Sequence, residues 1–222
     1  MSTHPIKAVL FDLDGTLADT APDLAHALNE VRREQGLAPL PFENIRPAVS
    51  HGATALIRVG FDLAPEEAAF EPLHQRLLEI YREQLTLHTR LFPGMAELLE
   101  ALEARGLCWG VVTNKPSWLT EPLLTGLGLA TRAGCIVSGD STANRKPHPE
   151  PMLHACRLLG MDKAQCLYVG DAPRDIEAGR RAGMKTLVAL FGYLDDNDRP
   201  HVWQADGLIR HPAEILDWVT TP

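Results

Sequence analysis

Phe11-Asp12-Leu13-Asp14-Gly15-Thr16-Leu17 closes a largely apolar run that begins at Ile6, so the first strand of the chain ends on two carboxylates one residue apart. In an extended segment residues i and i+2 point to the same side, and Asp12 and Asp14 therefore face one site just beyond the buried part of the strand. Neighbouring anions at the mouth of a sheet repel each other. They persist where a cation offsets the repulsion, or where a reaction uses one group as nucleophile and the other as proton carrier. The same residues would also suit a simple turn, since Asp and Gly are common there, and the rest of the chain must separate the two readings.

Downstream, strand and helix alternate. Apolar spacing predicts helices over 94–105, 116–127, 148–159, 173–182 and 212–219, several closed by a glycine such as Gly106, Gly128, Gly160 or Gly183. Strand-like runs cover 107–113, 134–138, 165–169, 185–190 and, more briefly, 207–209. Strands separated by helices demand right-handed crossovers, and so a doubly wound parallel α/β sheet covered on both faces. Residues 18–88 show helical spacing over 21–35 and 65–87 but no convincing strand. They are expected to form an all-helical cap domain inserted after the first strand, with 1–17 and 89–222 making the α/β core. Ligands of open α/β sheets bind beyond the carboxyl ends of the strands, which puts the insertion beside the site as a lid.

The 222 residues suffice for one large domain or one domain with an insert, and the apolar content supports a real core. A formal charge of −8, with basic pairs such as Arg32-Arg33 and Arg180-Arg181 isolated, argues against nucleic acid as partner. No charged-then-apolar leader precedes the first strand, and no apolar run approaches the roughly 20 residues that span a bilayer. A cytoplasmic protein, monomeric or homodimeric and without a membrane partner, is expected. Cys108, Cys135, Cys156 and Cys166 are far apart in sequence and form no Cys-x-x-Cys pair, so buried thiols are expected rather than zinc or disulfides.

Chemistry-bearing residues follow the other core strands in order. Thr113-Asn114-Lys115-Pro116 brings a hydroxyl and an amide to a helix start, where free N–H groups can hold phosphate. Ser138-Gly139-Asp140 leads to Lys146-Pro147-His148-Pro149, and Gly170-Asp171-Ala172-Pro173-Arg174-Asp175 opens the helix that begins at Pro173. Singly, Thr113 or Asp171 would pass for a helix cap and Lys146 for a surface lysine. Together they crowd one sheet edge.

In this order the motifs resemble the phosphatase branch of the haloacid dehalogenase superfamily, over essentially the whole chain. Within that branch, Thr-Asn-Lys-Pro, Ser-Gly-Asp-Ser, Lys-Pro-His-Pro-Glu-Pro and the Phe-Gly-Tyr at Tyr193 are similar to phosphoglycolate phosphatases. Trp203-x-Ala205-Asp206 with His211-Pro212 is similar also to N-acetylmuramic acid 6-phosphate phosphatases. The resemblance implies Asp12 as nucleophile forming an aspartyl-phosphate, Asp14 as general acid and then base, Thr113 and Asn114 holding phosphoryl oxygens, and Lys146 neutralising their charge. It implies a metal held by the side chains of Asp12 and Asp171 and the backbone carbonyl of Asp14, with Asp175 beside them. Charge accounting agrees. Four carboxylates and a phosphate monoester would face Lys146 alone, and like charges about 4 Å apart repel by roughly 4 kcal/mol at an effective dielectric near 20. A divalent cation is required, and an all-oxygen ligand set with phosphate favours Mg²⁺.

Substrate choice is expected to lie with the cap, through the loop Ser50-His51-Gly52 and Arg58, and with Lys115; an Arg or Lys would suit a substrate carboxylate. The partner is then a small phosphate ester such as 2-phosphoglycolate, with N-acetylmuramic acid 6-phosphate as the alternative. Three further readings remain. A haloacid dehalogenase has no need of Asp14. A sugar phosphomutase shares the motifs and differs in the lifetime of its phospho-aspartate. A phospho-receiver module shares the acidic cluster, Thr and Lys, but is shorter and lacks the helical insertion.

Overall fold

The computed structural model describes residues 5–219. Strand β1 (Ala8–Phe11) enters the sheet, and its two faces serve two layers. Val9 and Phe11 join the larger apolar cluster, while Ala8 and Leu10 join a smaller one with Val112, Val137, Met152 and Tyr168. Period-two alternation buried on both sides is what a central parallel strand requires.

Directly after β1 the chain forms β2 (Ala18–Asp19) and then the cap helices α1 (Ala21–Glu34), α2 (Phe42–Ile45), α3 (Gly52–Phe61) and α4 (Phe70–Glu83), with a 3₁₀ segment, Arg46–His51, between α2 and α3. Helix α1 begins with Pro22 and Asp23 in its first turn and ends with Arg32 and Arg33, which matches the polarity of the helix dipole. Its buried stripe of Leu24, Leu28 and Val31 meets Leu56 and Ile57 of α3 and Leu77 and Ile80 of α4. The α1–α3 approach is close enough that a Cβ at Gly60 would stand 2.6 Å from Leu28 Cδ1.

The chain returns through β3 (Arg90–Leu91) to α5 (Met95–Ala104), β4 (Cys108–Val112), α6 (Ser117–Gly126), β5 (Cys135–Val137), α7 (Glu150–Leu159), β6 (Cys166–Gly170), α8 (Pro173–Ala182), β7 (Lys185–Ala189) and β8 (Gly207–Ile209). The six-stranded sheet runs β5-β4-β1-β6-β7-β8, all parallel, with Ala8 in register with Cys108 on one side and Cys166 on the other. Strand order reverses on either side of β1, so the carboxyl ends of β1, β4 and β6 open onto a topological switch point. Among the described residues no helix is long and apolar enough to cross a membrane.

The expected architecture holds, with three differences. Residues 18–88 are not strand-free: Ala18–Asp19 pairs antiparallel with Arg90–Leu91, so the cap rises on a two-stranded stem. Two residues leave no periodicity to read, and the partner that makes them a strand lies beyond the whole insertion. Helix α4 is shorter than the apolar spacing over 65–87 suggested, because Pro65 and its neighbours form turns and Gln84–His88 leave the helix. The last segment is a 3₁₀ turn, Pro212–Asp217, rather than an α-helix to 219.

Asp23 fixes where the stem closes. Its buried carboxylate accepts from the main-chain N–H groups of His88 (2.9 Å) and Thr89 (2.9 Å) and from Thr89 Oγ1 (2.8 Å), tying the first cap helix to the returning strand. Asp23→Ala leaves the two Thr89 donors buried and unpaired, and each such group costs about 1–3 kcal/mol. We expect a loss of roughly 2–4 kcal/mol in urea unfolding, with turnover per folded molecule largely kept; a loss below 1 kcal/mol would show that the tie is dispensable.

Candidate active site

At the carboxyl edge of the sheet β1 ends on Asp12, which is almost fully buried. Its N–H donates to Val169 O (2.9 Å), so the adjacent strand holds the residue until the ladder stops. Beyond it the chain turns tightly, with Leu17 N–H returning to Leu13 O. Gly15 in this turn has φ +86°, and a Cβ there would lie 2.2 Å from Asp171 Oδ2. Only glycine combines that backbone with that approach.

Asp12, Asp171 and Asp175 converge, each offering a carboxylate oxygen within 4.8 Å of the others. Lys146 lies among them, its Nζ 2.8 Å from Asp12 Oδ1 and 2.7 Å from Asp175 Oδ1, and it also donates to Tyr168 Oη (2.8 Å). Burial by itself would raise the Asp12 carboxyl, but the Lys146 ammonium and the Arg174 guanidinium overcome this and hold it below the usual carboxylate range. Asp171 lacks such a partner. Burial, then the charges of Asp175 and Asp12, push it up to about 7. Asp175 is likewise raised, by burial first and by Asp12 second; its Oδ2 accepts from Ala172 N–H at the start of α8 (3.0 Å).

Such a cluster suits a hard divalent cation. Its donors are all oxygen, two of the three carboxyls are pushed up by burial and then by one another's charge, and a cation would offset that crowding. Glycines pack around Asp171: a Cβ at Gly192 would stand 2.3 Å from its Cβ. The carboxylate is thereby fixed in place and cannot swing away from its neighbours.

Asp14 stands apart from the triad and faces the cleft, with 17% of its side chain exposed. Its Oδ1 accepts from Thr20 Oγ1 (2.6 Å) and from Lys115 Nζ (2.8 Å). Thr113 follows β4, pinned by its N–H to Val137 O (2.9 Å), and its hydroxyl lies at the cleft floor.

Several expectations from sequence change here. Both ends of the Asn114 side chain are engaged with the main chain of Lys146, Nδ2 to the carbonyl (2.9 Å) and Oδ1 to the N–H (3.0 Å). Asn114 therefore clamps Lys146, while its amide nitrogen keeps a second N–H donor at the cleft it lines. The α6 N-terminus is also occupied, since Ser117 N–H donates to Asp140 Oδ1 (2.9 Å) and Ser117 Oγ to Asp140 Oδ2 (2.8 Å). Lys115 lines the cleft, and its ammonium reaches Asp14 and Tyr81 of the cap. Ser50 donates to Asp171 Oδ2 (2.7 Å), so this cap residue meets the acidic cluster itself. His51 and Gly52 line the cleft as expected, whereas Arg58 is exposed on α3 and does not line it. Finally, Lys146 is not the sole cation: Arg174 also acts on Asp12 and Asp175.

Sequence reasoning missed Tyr168, Arg174 and Tyr193. Tyr168 lies on β6 and its hydroxyl donates to Val112 O (2.8 Å) while accepting from Lys146. Tyr193 links two parts of the site: its N–H donates to Asp171 Oδ2 (2.9 Å), and its hydroxyl accepts from Thr20 N–H (2.6 Å) at the start of α1. Arg174 carried a readable signal, being placed between Asp171 and Asp175 in sequence, and Tyr193 lay in the Phe-Gly-Tyr motif without a role assigned to it.

The conserved pattern of haloacid dehalogenase-like hydrolases matches residues 9–189. This chain belongs to that family. It is 44% identical over 217 residues to an N-acetylmuramic acid 6-phosphate phosphatase of Pseudomonas aeruginosa, covering 98% of this chain and 96% of that one. It is 42% identical over 216 residues to a phosphoglycolate phosphatase of Xanthomonas campestris, covering 97% of each. Among solved structures it resembles one described as a predicted phosphoglycolate phosphatase from Haemophilus somnus, with a TM-score of 0.85 and 31% identity over 97% of this chain and 99% of the other.

A cation bound by the cluster acts on the folded state alone and raises its stability by mass action. Millimolar Mg²⁺ is expected to raise the melting temperature of chelator-treated protein by several degrees. Asp171→Asn, which removes one of three crowded charges, is expected to melt no lower than the parent in chelator and to lose that Mg²⁺ response. A variant that keeps the full response would remove Asp171 from the metal site.

Proposed function

We propose that this family member is a metal-dependent phosphomonoesterase that cleaves small phosphorylated metabolites in the cytoplasm through an aspartyl-phosphate on Asp12. One observation carries the reading: at the cleft floor the Asp12 carboxylate stays ionised beside Lys146, with Oδ1 held by that ammonium and by Leu13 N–H (2.8 Å). No hydrogen bond from the described residues reaches Oδ2, which is left as the attacking oxygen. A divalent cation, taken here as Mg²⁺, held by Asp12, Asp171 and the Asp14 carbonyl with Asp175 beside them, supplies Lewis-acid neutralisation of phosphoryl charge.

The phosphoryl group sits against the Thr113 hydroxyl and the Lys146 ammonium. Asp12 Oδ2 forms a bond to phosphorus as the ester P–O bond breaks, and Asp14 gives its proton to the departing oxygen. Water then attacks the aspartyl-phosphate, Asp14 takes the proton back, and the Asp12–phosphorus bond breaks to release inorganic phosphate. Asp12→Asn keeps the shape of the carboxylate but cannot make this ester. Its kcat is expected to fall at least about a thousandfold on any phosphate ester, with the circular dichroism spectrum unchanged. Residual turnover above a few per cent would remove Asp12 as nucleophile, and full activity in excess chelator would remove the metal.

Two substrates follow from the relatives' names, 2-phosphoglycolate and N-acetylmuramic acid 6-phosphate. The identities of 44% and 42% do not separate them. The cleft favours the second. Its volume is about 730 Å³, with Leu24, Leu78 and Trp118 on its walls and His51 and Arg145 in its lining. Space in the range of about 300–1,000 Å³ accommodates a drug-sized molecule, far more than a two-carbon acid needs. An amino-sugar acid would fill it, resting its ring on the apolar wall and its carboxylate near Arg145. We expect kcat/KM for N-acetylmuramic acid 6-phosphate to exceed that for 2-phosphoglycolate at least tenfold, and His51→Ala to raise KM for the former several-fold. The reverse order of the two esters would assign the protein to 2-phosphoglycolate. Inorganic phosphate release in every turnover distinguishes both from a mutase.

A further inference from the structure

We infer that Lys115 is the residue that positions the Asp14 carboxyl against the leaving group, and that Tyr81 makes this positioning depend on a seated cap. The inference rests on the phosphatase reading above and deepens it. Lys115 was expected, from its place after Thr113-Asn114, to touch substrate. Its side chain is instead only 6% exposed, and its ammonium is held between two groups of the protein, Asp14 Oδ1 at 2.8 Å and Tyr81 Oη at 3.0 Å.

The arrangement treats the two oxygens of Asp14 differently. Oδ1 takes both available donors, Lys115 Nζ and Thr20 Oγ1, while no hydrogen bond from the described residues reaches Oδ2. A carboxyl gripped by one oxygen cannot rotate, so the other is presented in one direction, and Asp14 lines the cleft. Lys115 itself has little freedom. Its N–H donates to Thr113 Oγ1 (3.2 Å), its carbonyl accepts from Gly139 N–H (2.8 Å), and its ammonium also lies 4.6 Å from the centre of the Tyr81 ring. Burial works against its charge, but Asp14 and Tyr81 outweigh that and raise its affinity for the proton above the ordinary lysine value.

Tyr81 belongs to cap helix α4, Lys115 to the loop after core strand β4, and Thr20 to the stem. The stem and the core loop reach Asp14 Oδ1 directly, and the cap reaches it through the Lys115 ammonium. Lifting α4 from the core would withdraw the Tyr81 hydroxyl and ring and leave a lysine with one partner exposed to water. The acid is therefore aligned when the cap lies over the site and water is excluded, which is when proton donation to a leaving alkoxide is needed.

Positioning of a general acid has a signature that substrate binding and fold maintenance lack. Proton donation matters for a leaving group that departs as a basic alkoxide and little for an acidic phenol. With ethyl phosphate and 4-nitrophenyl phosphate as probes, Lys115→Met is expected to lower kcat/KM for the ethyl ester about thirtyfold more than for the aryl ester, within the range of general acid catalysis. Tyr81→Phe, which keeps the ring and removes only the hydroxyl, is expected to give about a three- to tenfold differential of the same sign. In an Asp14→Asn background Lys115→Met is expected to add less than about threefold to either ester, because residues that act as one unit are not additive.

Equal losses on the two esters, or full additivity with Asp14→Asn, would overturn the inference and leave Lys115 a structural or binding residue. If Lys115→Met does not fold, Tyr81→Phe decides by the same differential, and none there overturns the link to the cap and to Asp14. Failure of the parent enzyme to hydrolyse either ester would instead refute the phosphatase reading itself.

Discussion

Everything at the carboxyl edge of the sheet is organised around the crowding of three buried carboxylates, Asp12, Asp171 and Asp175. Like charges at such spacing in a poorly solvated site repel by several kcal/mol, and the protein does not remove the conflict. It distributes it. Lys146 is aimed at Asp12 and Asp175, with the result that Asp12 remains an anion while Asp171, out of its reach, is pushed up to about 7. The inequality suits the proposed chemistry: Lys146 and Arg174 keep Asp12 low, and the remaining deficit of positive charge is what a metal would fill.

Holding that conflict in place falls to groups around the acids. Asn114 clamps the main chain of Lys146, Tyr168 gives its ammonium a third acceptor, and Ala172 N–H fixes Asp175 at the first turn of α8. Gly15 and Gly192 allow the backbone to close against Asp171, where any Cβ would collide with it. A site built of repelling charges is precise only if each member is prevented from relaxing, and these contacts do so.

The cap is coupled to the same centre at three points. Ser50 donates to Asp171, Tyr81 shares the Lys115 ammonium with Asp14, and Tyr193 connects Asp171 to the N-terminus of α1 at the stem. The first residue of each pairing comes from different elements, yet all converge on acidic groups of the core. Cap placement and the charge state of the site are consequently linked through direct hydrogen bonds, with no need for a longer pathway between them.

How much of this was legible beforehand depended on range. Alternating strands and helices, the insertion after Leu17, and the acids and base at successive strand ends follow from short-range patterns: apolar period, helix caps, and the requirement that a parallel sheet present its loops on one edge. Those properties belong to neighbouring residues, and the sequence by itself determined them. It could not determine partners. That Asn114 clamps Lys146, that Ser117 at the start of α6 bonds Asp140, that Arg58 points to solvent while Arg174 joins the acids, and that two residues at Ala18 become a strand were decided only in the tertiary structure. Each depends on a hydrogen bond or a Coulomb interaction between residues well separated in the chain. Such interactions act over a few ångströms, and only the folded chain brings these groups within that distance.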